Sequence, residues 1–535
     1  MRVVKGTCVD ISSEGKGVVK TGKDIIFVDG LFIGETADIE ILYQRAGVYF
    51  GKVKKLYNLS QDRIQPKCKV CSSCGGCQYQ QLNYQAQLKF KKKRVEDAIK
   101  RIGHLEVKVN DCIGMDDPYY YRNKIQMPYG KDKKGRVYYG FYKQNSHEII
   151  PVKECVIEDK RGASILWDIK ELVKEMNIPV YNEDSGNGIL RYVLIRTSYH
   201  FDELMIVLVV SQMNFKGQRN FVDALVKLHP EISTIVVNEN SRKTNVVLGQ
   251  KEKVLYGKGS IKDSILGLTF EISASSFYQV NPVQVEVLYQ KALDLIDINK
   301  EEVVLDAYSG VGTIGLIASK NAKKVISVEI NKNAHKNAIE NAKRNGVNNI
   351  EFYCDDASEF ITKYQGELDI VIMDPPRSGS DSKFLNAIMS KKPKKIIYIS
   401  CGPETLARDL KELSRDYQVT YVQPVDMFPM TSHVETITLL QRKDIDDRLK
   451  VRFDLDNVPL VKEETKATYQ EIKDFIFNKY NVKVSTLNIA QTKTKYGIIE
   501  RECYNKPKDD DSRQPKCTRE KEEMIVDALK HFKML

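Results

Sequence analysis

The chain has 535 residues, with 83 Lys and Arg against 72 Asp and Glu and a formal net charge of +11. That length holds roughly three or four domains, and the modest basic excess suits a polyanionic partner. No apolar run is long enough to span a bilayer, and Met1-Arg2-Val3-Val4-Lys5 lacks the apolar core of a signal peptide, so a membrane or secreted protein is set aside and a cytoplasmic one is expected. Eleven cysteines in such a chain point to metal binding or catalysis rather than disulfides.

Residues 1–58 read as a small all-β unit. Val18-Val19, Ile25 to Val28, Ala37 to Ile41 and Val48 to Phe50 are short strand patterns punctuated by glycines. Their spacing predicts a barrel of the oligonucleotide-binding type. Next comes Cys68-x-x-Cys71-x-x-Cys74-Gly75-Gly76-Cys77. Zinc ribbons pair two such knuckles across a longer gap, whereas contiguous thiols with small residues between them stand closer to iron–sulfur ligation. A basic amphipathic helix is predicted over about Asn83 to Ile102, with Lys89, Lys91, Lys92, Lys93 and Arg94 nearly together.

Residues 113–275 alternate strand patterns with a helix near Arg219 to Leu228, which reads as an antiparallel α+β domain. Within it, Tyr119-Tyr-Tyr-Arg-Asn-Lys124 mixes rings with basic groups, a pattern suited to base stacking and phosphate contact and equally to ordinary edge-strand packing.

From 282 to 443 the pattern becomes strand–helix repeats, and seven strands are predicted in a doubly wound sheet: Val303–Leu305, Lys324–Val328, Ile350–Tyr353, Ile370–Met373, Ile396–Ile399, Val419–Val422 and Thr436–Leu440. Three strand ends carry chemistry. Asp306-Ala-Tyr-Ser-Gly-Val-Gly312 follows a buried strand and opens a helix, and its glycines let a ligand approach the backbone. The spacing departs from the dinucleotide fingerprint. Glu329 ends the next strand, where an acid can take both ribose hydroxyls. Together these point to S-adenosylmethionine. Asp374-Pro-Pro-Arg377 ends a later strand in the place where amino-group methyltransferases carry an aromatic residue after the prolines. Arg377 in place of that ring turns the expected target away from an exocyclic amine. Cys401, in Ile399-Ser-Cys-Gly-Pro403, sits where another strand gives way to a helix, so a thiol beside a nucleoside cofactor suggests covalent chemistry. A buried, inert thiol is the bland alternative. The last 90 or so residues are charged, with helix patterns at Tyr469–Tyr480 and Arg519–Phe532.

Taken in this order, the motifs resemble the RNA (uracil-5-)-methyltransferase family over about residues 1–443. The branch most similar carries an N-terminal TRAM domain and an iron–sulfur cluster and acts on 23S ribosomal RNA. The resemblance implies a multi-domain α/β protein divided as 1–58, 59–275, 276–443 and 444–535: a TRAM barrel, an iron–sulfur and RNA-binding domain, a Rossmann-like methyltransferase domain, and a small helical extension. It implies 4Fe-4S ligation by Cys68, Cys74, Cys77 and a distant Cys155, which leaves Cys71 as an extra thiol that could complete the set instead. It implies cofactor contacts at Gln279, Tyr308, Glu329 and Asp374, a nucleophile at Cys401 and a base at Glu435. The implied activity is methyl transfer from S-adenosylmethionine to C5 of a uridine, by a monomer. Two rivals are a tRNA substrate and a non-catalytic RNA-binding protein. Strand alternation is expected to put His433 and Glu435 on one face.

Overall fold

The computed structural model describes residues 2–143, 146–243, 246–443, 467–496, 498, 517–532 and 534–535. These fall into two compact units, 1–445 and 446–535; the expected boundary at 443/444 abuts residues outside the described ones. No helix among the described residues is long and apolar enough to cross a membrane.

The first unit opens with a closed five-stranded barrel of β1 (Val3–Ile11), β2 (Gly17–Thr21), β3 (Asp24–Asp29), β4 (Thr36–Arg45) and β5 (Val48–Leu56). Cys8, Val19, Ile26, Val28, Leu31, Ala37 and Ile39 fill it. The sequence reading missed β1. Its exposed and half-buried residues alternate around one buried thiol, so its apolar signal is weak. The cysteine segment follows, with a single turn α1 (Cys71–Cys74), and then α2 (Tyr84–Ala98), capped by the Asn83 side chain and running into a π-helical turn at Ile99–Gly103.

The central sheet contains β6 (Lys124–Lys131), β7 (Val137–Tyr142), β8 (Ile149–Pro151), β9 (Leu190–Thr197), β10 (Leu204–Val210), β11 (Ile232–Glu239) and β12 (Lys251–Tyr256), with α3 (Arg161–Glu175) and α4 (Gln218–Leu228). Their order across the sheet is β12-β11-β10-β9-β6-β7-β8. The expected antiparallel layout needs one correction. β10 and β11 run parallel, because α4 connects them as a crossover. The hairpin β13 (Ser260–Ile265) and β14 (Leu268–Ser273) leads into α5 (Pro282–Ile296), which starts at an Asn281 cap followed by Pro.

The methyltransferase-type domain comprises β15 (Val303–Ala307), α6 (Thr313–Ala318), β16 (Lys324–Val328), α7 (Lys332–Arg344), β17 (Ile350–Tyr353), α8 (Ala357–Lys363), β18 (Ile370–Met373), α9 (Ser382–Lys391), β19 (Lys395–Ser400), α10 (Pro403–Leu413), β20 (Tyr417–Val425) and β21 (Glu435–Arg442). All seven predicted strands are present, in the order β17-β16-β15-β18-β19-β21-β20. The central strands read as unbroken apolar runs because helices cover both faces. The order reverses between β15 and β18, so a crevice opens at their carboxyl ends. β21 is antiparallel to β19, with Thr436 opposite Ser400. Its start therefore lies at the same sheet edge as the end of β19.

The second unit holds α11 (Tyr469–Tyr480), α12 (Thr486–Lys495) and α13 (Arg519–His531) around Ile472, Ile476, Val484, Ile489, Ile525, Ala528 and Leu529. α12 was not read from the sequence. Its three threonines and two lysines blur the apolar period.

Candidate active site

A cavity of about 640 Å³ occupies the crevice, and Gln279, Tyr308, Glu329, Asp374, Cys401 and Glu435 all line it. Six residues spread over 157 positions of sequence thus meet at one sheet edge. Tyr308, Glu329, Asp374 and Cys401 follow strands of the sheet, Gln279 lies in the loop before α5, and Glu435 opens β21.

The glycine loop is built for a close ligand. Gly310 (φ 58°) and Gly312 (φ 80°) take the left-handed region, and a Cβ on Gly310 would meet nothing within 4 Å. Tyr308 takes that region too, at φ 63° and without glycine's freedom. Its ring packs edge-on against Phe384, and its hydroxyl lies 3.3 Å from Ser380 Oγ. Beneath the loop, Asp306 is buried and accepts from Gly315 N–H at 3.0 Å; burial pushes its carboxyl up to about 8. Glu329 accepts from Gly310 N–H at 2.8 Å and Asn331 N–H at 2.6 Å, one on each carboxylate oxygen. Those bonds fix the acid while leaving lone pairs free for a vicinal diol.

The reactive end is crowded with acids. Burial raises Asp374 to about 7. Burial and the charge of Asp374 hold Glu435 well above the usual carboxylate range, against Arg377. Cys401 is lifted to about 11 by burial, Glu435 and Asp374, again opposed by Arg377. In the cofactor-free protein at neutral pH, the thiol therefore keeps its proton. Arg377 is the cation that favours ionisation of both Cys401 and Glu435.

Glu435 opens β21, but His433 precedes the strand. Both reach the cavity, though not by the strand alternation expected of them. They arrive on a connecting loop, Asp426 to Val434, held from many sides. Asp426 is buried in an ion pair with Lys91, also fully buried, and accepts from Tyr84 Oη at 2.9 Å. Lys91 Nζ also donates to Phe428 O at 3.0 Å. Asn281 Nδ2 donates to Met427 O, Tyr121 Oη to Pro429 O and Arg94 Nη1 to Ser432 O, while Gln87 and Gln78 accept from Met430 N–H and Ser432 N–H. Of the basic cluster on α2, Lys91 is buried and most of the rest are engaged in ion pairs. Arg94 pairs with Glu404, Lys93 with Asp10 and Asp97, and Lys92 with Asp111. Of its five charges Lys89 alone is exposed without a pair. Lys91 and Arg94 thus help to hold this loop, while Lys92 and Lys93 form ion pairs nearer the surface.

Several cavity residues carried no assigned role in the sequence: Phe277, Asn333, Asn337, Phe428 and His433. The i, i+4 spacing of Asn333 and Asn337 on α7 is a signal that could have found two of them.

Cys68, Cys71, Cys74, Cys77 and Cys155 line one narrow separate cavity with Phe141, Val152 and Gln80. Burial raises Cys77 to about 12 and Cys155 higher, with neighbouring thiols adding to both. Among the described residues, no three His, Cys, Asp or Glu side chains form a group able to hold a metal ion.

Residues 83–443 match the family model described as tRNA (uracil-5-)-methyltransferase. An uncharacterized RNA methyltransferase of Clostridium acetobutylicum is 44% identical over 442 residues, 81% of this chain and 96% of that protein. Another from Staphylococcus aureus is 40% identical over 442 residues, 82% and 98%. Among solved structures, the tRNA (uracil-54, C5)-methyltransferase of Pyrococcus abyssi, in complex with S-adenosyl-L-homocysteine, superposes with a TM-score of 0.66 at 28% identity. It covers 82% of this chain and 100% of its own.

Proposed function

The chain belongs to the S-adenosylmethionine-dependent RNA uracil-5-methyltransferase family, and from that premise we propose that it forms 5-methyluridine in 23S ribosomal RNA, with Cys401 as nucleophile and Glu435 as base. The observation that carries the reading is the meeting of a thiol, a buried carboxyl and a glycine-rich loop on one cavity. Gln279, Tyr308, Glu329 and Asp374 would hold the cofactor, with Glu329 on the ribose. S-adenosylmethionine supplies the electrophilic methyl group that uracil C5 takes up.

Uracil C5 is a weak nucleophile. Attack of the Cys401 thiolate on C6 forms an S–C6 bond and moves the C5–C6 π pair toward O4, giving an enolate rich in electrons at C5. After methylation Glu435 accepts the C5 proton, the C5–C6 double bond reforms, and the S–C6 bond breaks to free Cys401. Arg377 opposes the acids around it, and any further cation in the cavity lowers the Cys401, Asp374 and Glu435 pKa values together. The target nucleotide must leave its stack to reach the thiol.

We also propose that the five converging thiols hold an iron–sulfur cluster, with Cys68, Cys74, Cys77 and Cys155 as ligands. A cubane takes one thiolate per iron, so its ligands stand further apart than those of a single ion. Five thiols lining one cavity supply such a spread of donors.

One observation favours a tRNA substrate instead. The P. abyssi neighbour, which superposes over 82% of this chain, is by its description a tRNA (uracil-54, C5)-methyltransferase. Transfer of labelled methyl groups to 23S rRNA and tRNA transcripts, with mapping of 5-methyluridine, tests both. Label in rRNA alone supports the proposal, label in tRNA alone supports the rival, and none in either refutes uridine methylation.

A further inference from the structure

Beside the cavity lies a set of basic groups that the proposed chemistry does not use. Arg122 lies two residues before β6, and its charge acts on Lys124, the first residue of that strand. Lys124 pairs directly across the sheet with Arg196 of β9. Three cations therefore stand on one patch. Among the described residues no carboxylate forms an ion pair with any of them, and Arg122 shares a side-chain hydrogen bond with Tyr121. Arg196 is buried, and its Nη2 donates to Ala274 O at 3.2 Å and Ser276 O at 2.5 Å, while its Nε has no partner. Lys124 is half-buried, its ammonium has no hydrogen bond, and its charge is opposed by burial, Arg196 and Arg122. Glu158 is the carboxyl on which the charge of Arg122 acts, but it is not an ion-pair partner. Holding three like charges together without a paired carboxylate is costly, and a bound anion would offset that cost.

The patch adjoins the active-site cavity through the segment 274–280. Arg196 bonds the backbone of that segment, and so does Asn123, from its backbone N–H to Val280 O at 2.9 Å and from Nδ2 to Gln279 O at 3.1 Å. Phe277 in this segment is 71% exposed at the cavity wall. The charge of Arg122 also acts on His433 inside the cavity. Stacked cation–ring pairs continue the surface outward, with Lys160 over Tyr120 and Lys67 over Tyr119.

We propose that Arg122, Lys124 and Arg196 form the binding site for a backbone phosphate of the RNA, adjacent to the nucleotide that enters the cavity. The inference deepens the RNA-methyltransferase reading by assigning where the substrate strand is gripped. Phosphate contacts fix register without reading bases, which is what an enzyme needs to present one flipped nucleotide to a thiol. A phosphodiester matches a convergent fork of guanidinium and ammonium donors. Phe277 then offers a flat ring beside the opening for a neighbouring base. A carboxylate of the cofactor is the other anion within range, and the test separates the two.

The experiment measures binding of the full chain to 23S rRNA and tRNA transcripts across a salt series, beside calorimetric binding of S-adenosylhomocysteine. It compares wild type with Lys124→Gln, Arg122→Gln and the double variant. Both residues are half-exposed, so the fold survives; Arg196→Lys is a further variant that retains charge. Removing the two charges is expected to weaken RNA binding tenfold or more at low salt. It also lowers the slope of log affinity against log salt by about 1–2. S-adenosylhomocysteine affinity stays unchanged, and kcat/KM for RNA falls more than kcat. Unchanged RNA affinity and slope overturn the site. So does a fall in S-adenosylhomocysteine affinity with RNA binding intact, which would make the anion the cofactor's carboxylate, and so does a wild type that binds neither RNA. A wild type that binds RNA but methylates none refutes the uridine reading while the salt slopes still judge the phosphate site.

Discussion

Replacing Lys91 with Met should loosen the loop that delivers Glu435. The side chains of Lys91 and Asp426 are both fully buried, and the ammonium also holds Phe428 O. Met keeps the length and removes the charge, so Asp426 keeps Tyr84 Oη and Phe428 N–H as partners but loses its counter-ion. Breaking a buried pair from one side costs about 3–5 kcal/mol, most of it the uncompensated carboxylate. If that cost falls on loop opening, amide exchange across Asp426 to Glu435 accelerates by roughly two to three and a half orders of magnitude, since each factor of ten is about 1.4 kcal/mol. Hydrogen exchange by mass spectrometry reads this directly. Methyl transfer should fall with it, whereas S-adenosylhomocysteine binding at the glycine loop should not. The double variant Lys91→Met/Asp426→Leu removes the stranded charge and should recover much of the protection, so the two changes are strongly non-additive. Unchanged exchange in Lys91→Met, or simple additivity in the double variant, refutes the ion pair as the clamp.

Four further outcomes can be checked. The Cys401 thiol, raised to about 11, should alkylate slowly at pH 7 and faster as pH climbs toward that value; Asp374→Asn removes a raising charge and should speed alkylation at pH 8, and no change would show that these carboxyls do not set the thiol. Cys401→Ala should abolish methyl transfer and the covalent adduct with 5-fluorouridine-substituted RNA while circular dichroism stays native, and a persisting adduct would remove its role. The raised Asp374 carboxyl prefers its proton in the fold, so ionising it costs stability as pH rises from about 4 to 7. Asp374→Asn should therefore raise Tm at pH 8 and not at pH 4. Anaerobically purified protein should carry iron and sulfide with a visible charge-transfer band, and Cys155→Ser should lose it more completely than Cys71→Ser; equal losses would reverse the choice of fourth ligand.

The reach of the sequence differs from one feature to the next for physical reasons. The seven strands of the methyltransferase-type domain were legible because strands buried on both faces must be apolar throughout, and the helices between them carry a distinct period. Cys401, Glu329 and the glycine loop were legible because strand ends are where an α/β sheet exposes chemistry. β1 was not, since a barrel wall facing solvent shows little apolar signal, and neither was the parallel pairing of β10 with β11, which depends on a crossover rather than on either strand.

Charge is where local reading failed most. Lys91, Lys92, Lys93 and Arg94 look like a phosphate-binding face until Asp426, Asp111, Asp10, Asp97 and Glu404 meet them in space. Arg122, Lys124 and Arg196 lie up to 74 positions apart and look unremarkable until one sheet register makes them neighbours. Residue types and their spacing set the strands, the glycine loop and the position of Cys401, because those are properties of short segments. Whether a charge is neutralised depends on partners from four to more than three hundred residues away, and only the folded chain brings the distant ones within hydrogen-bonding distance.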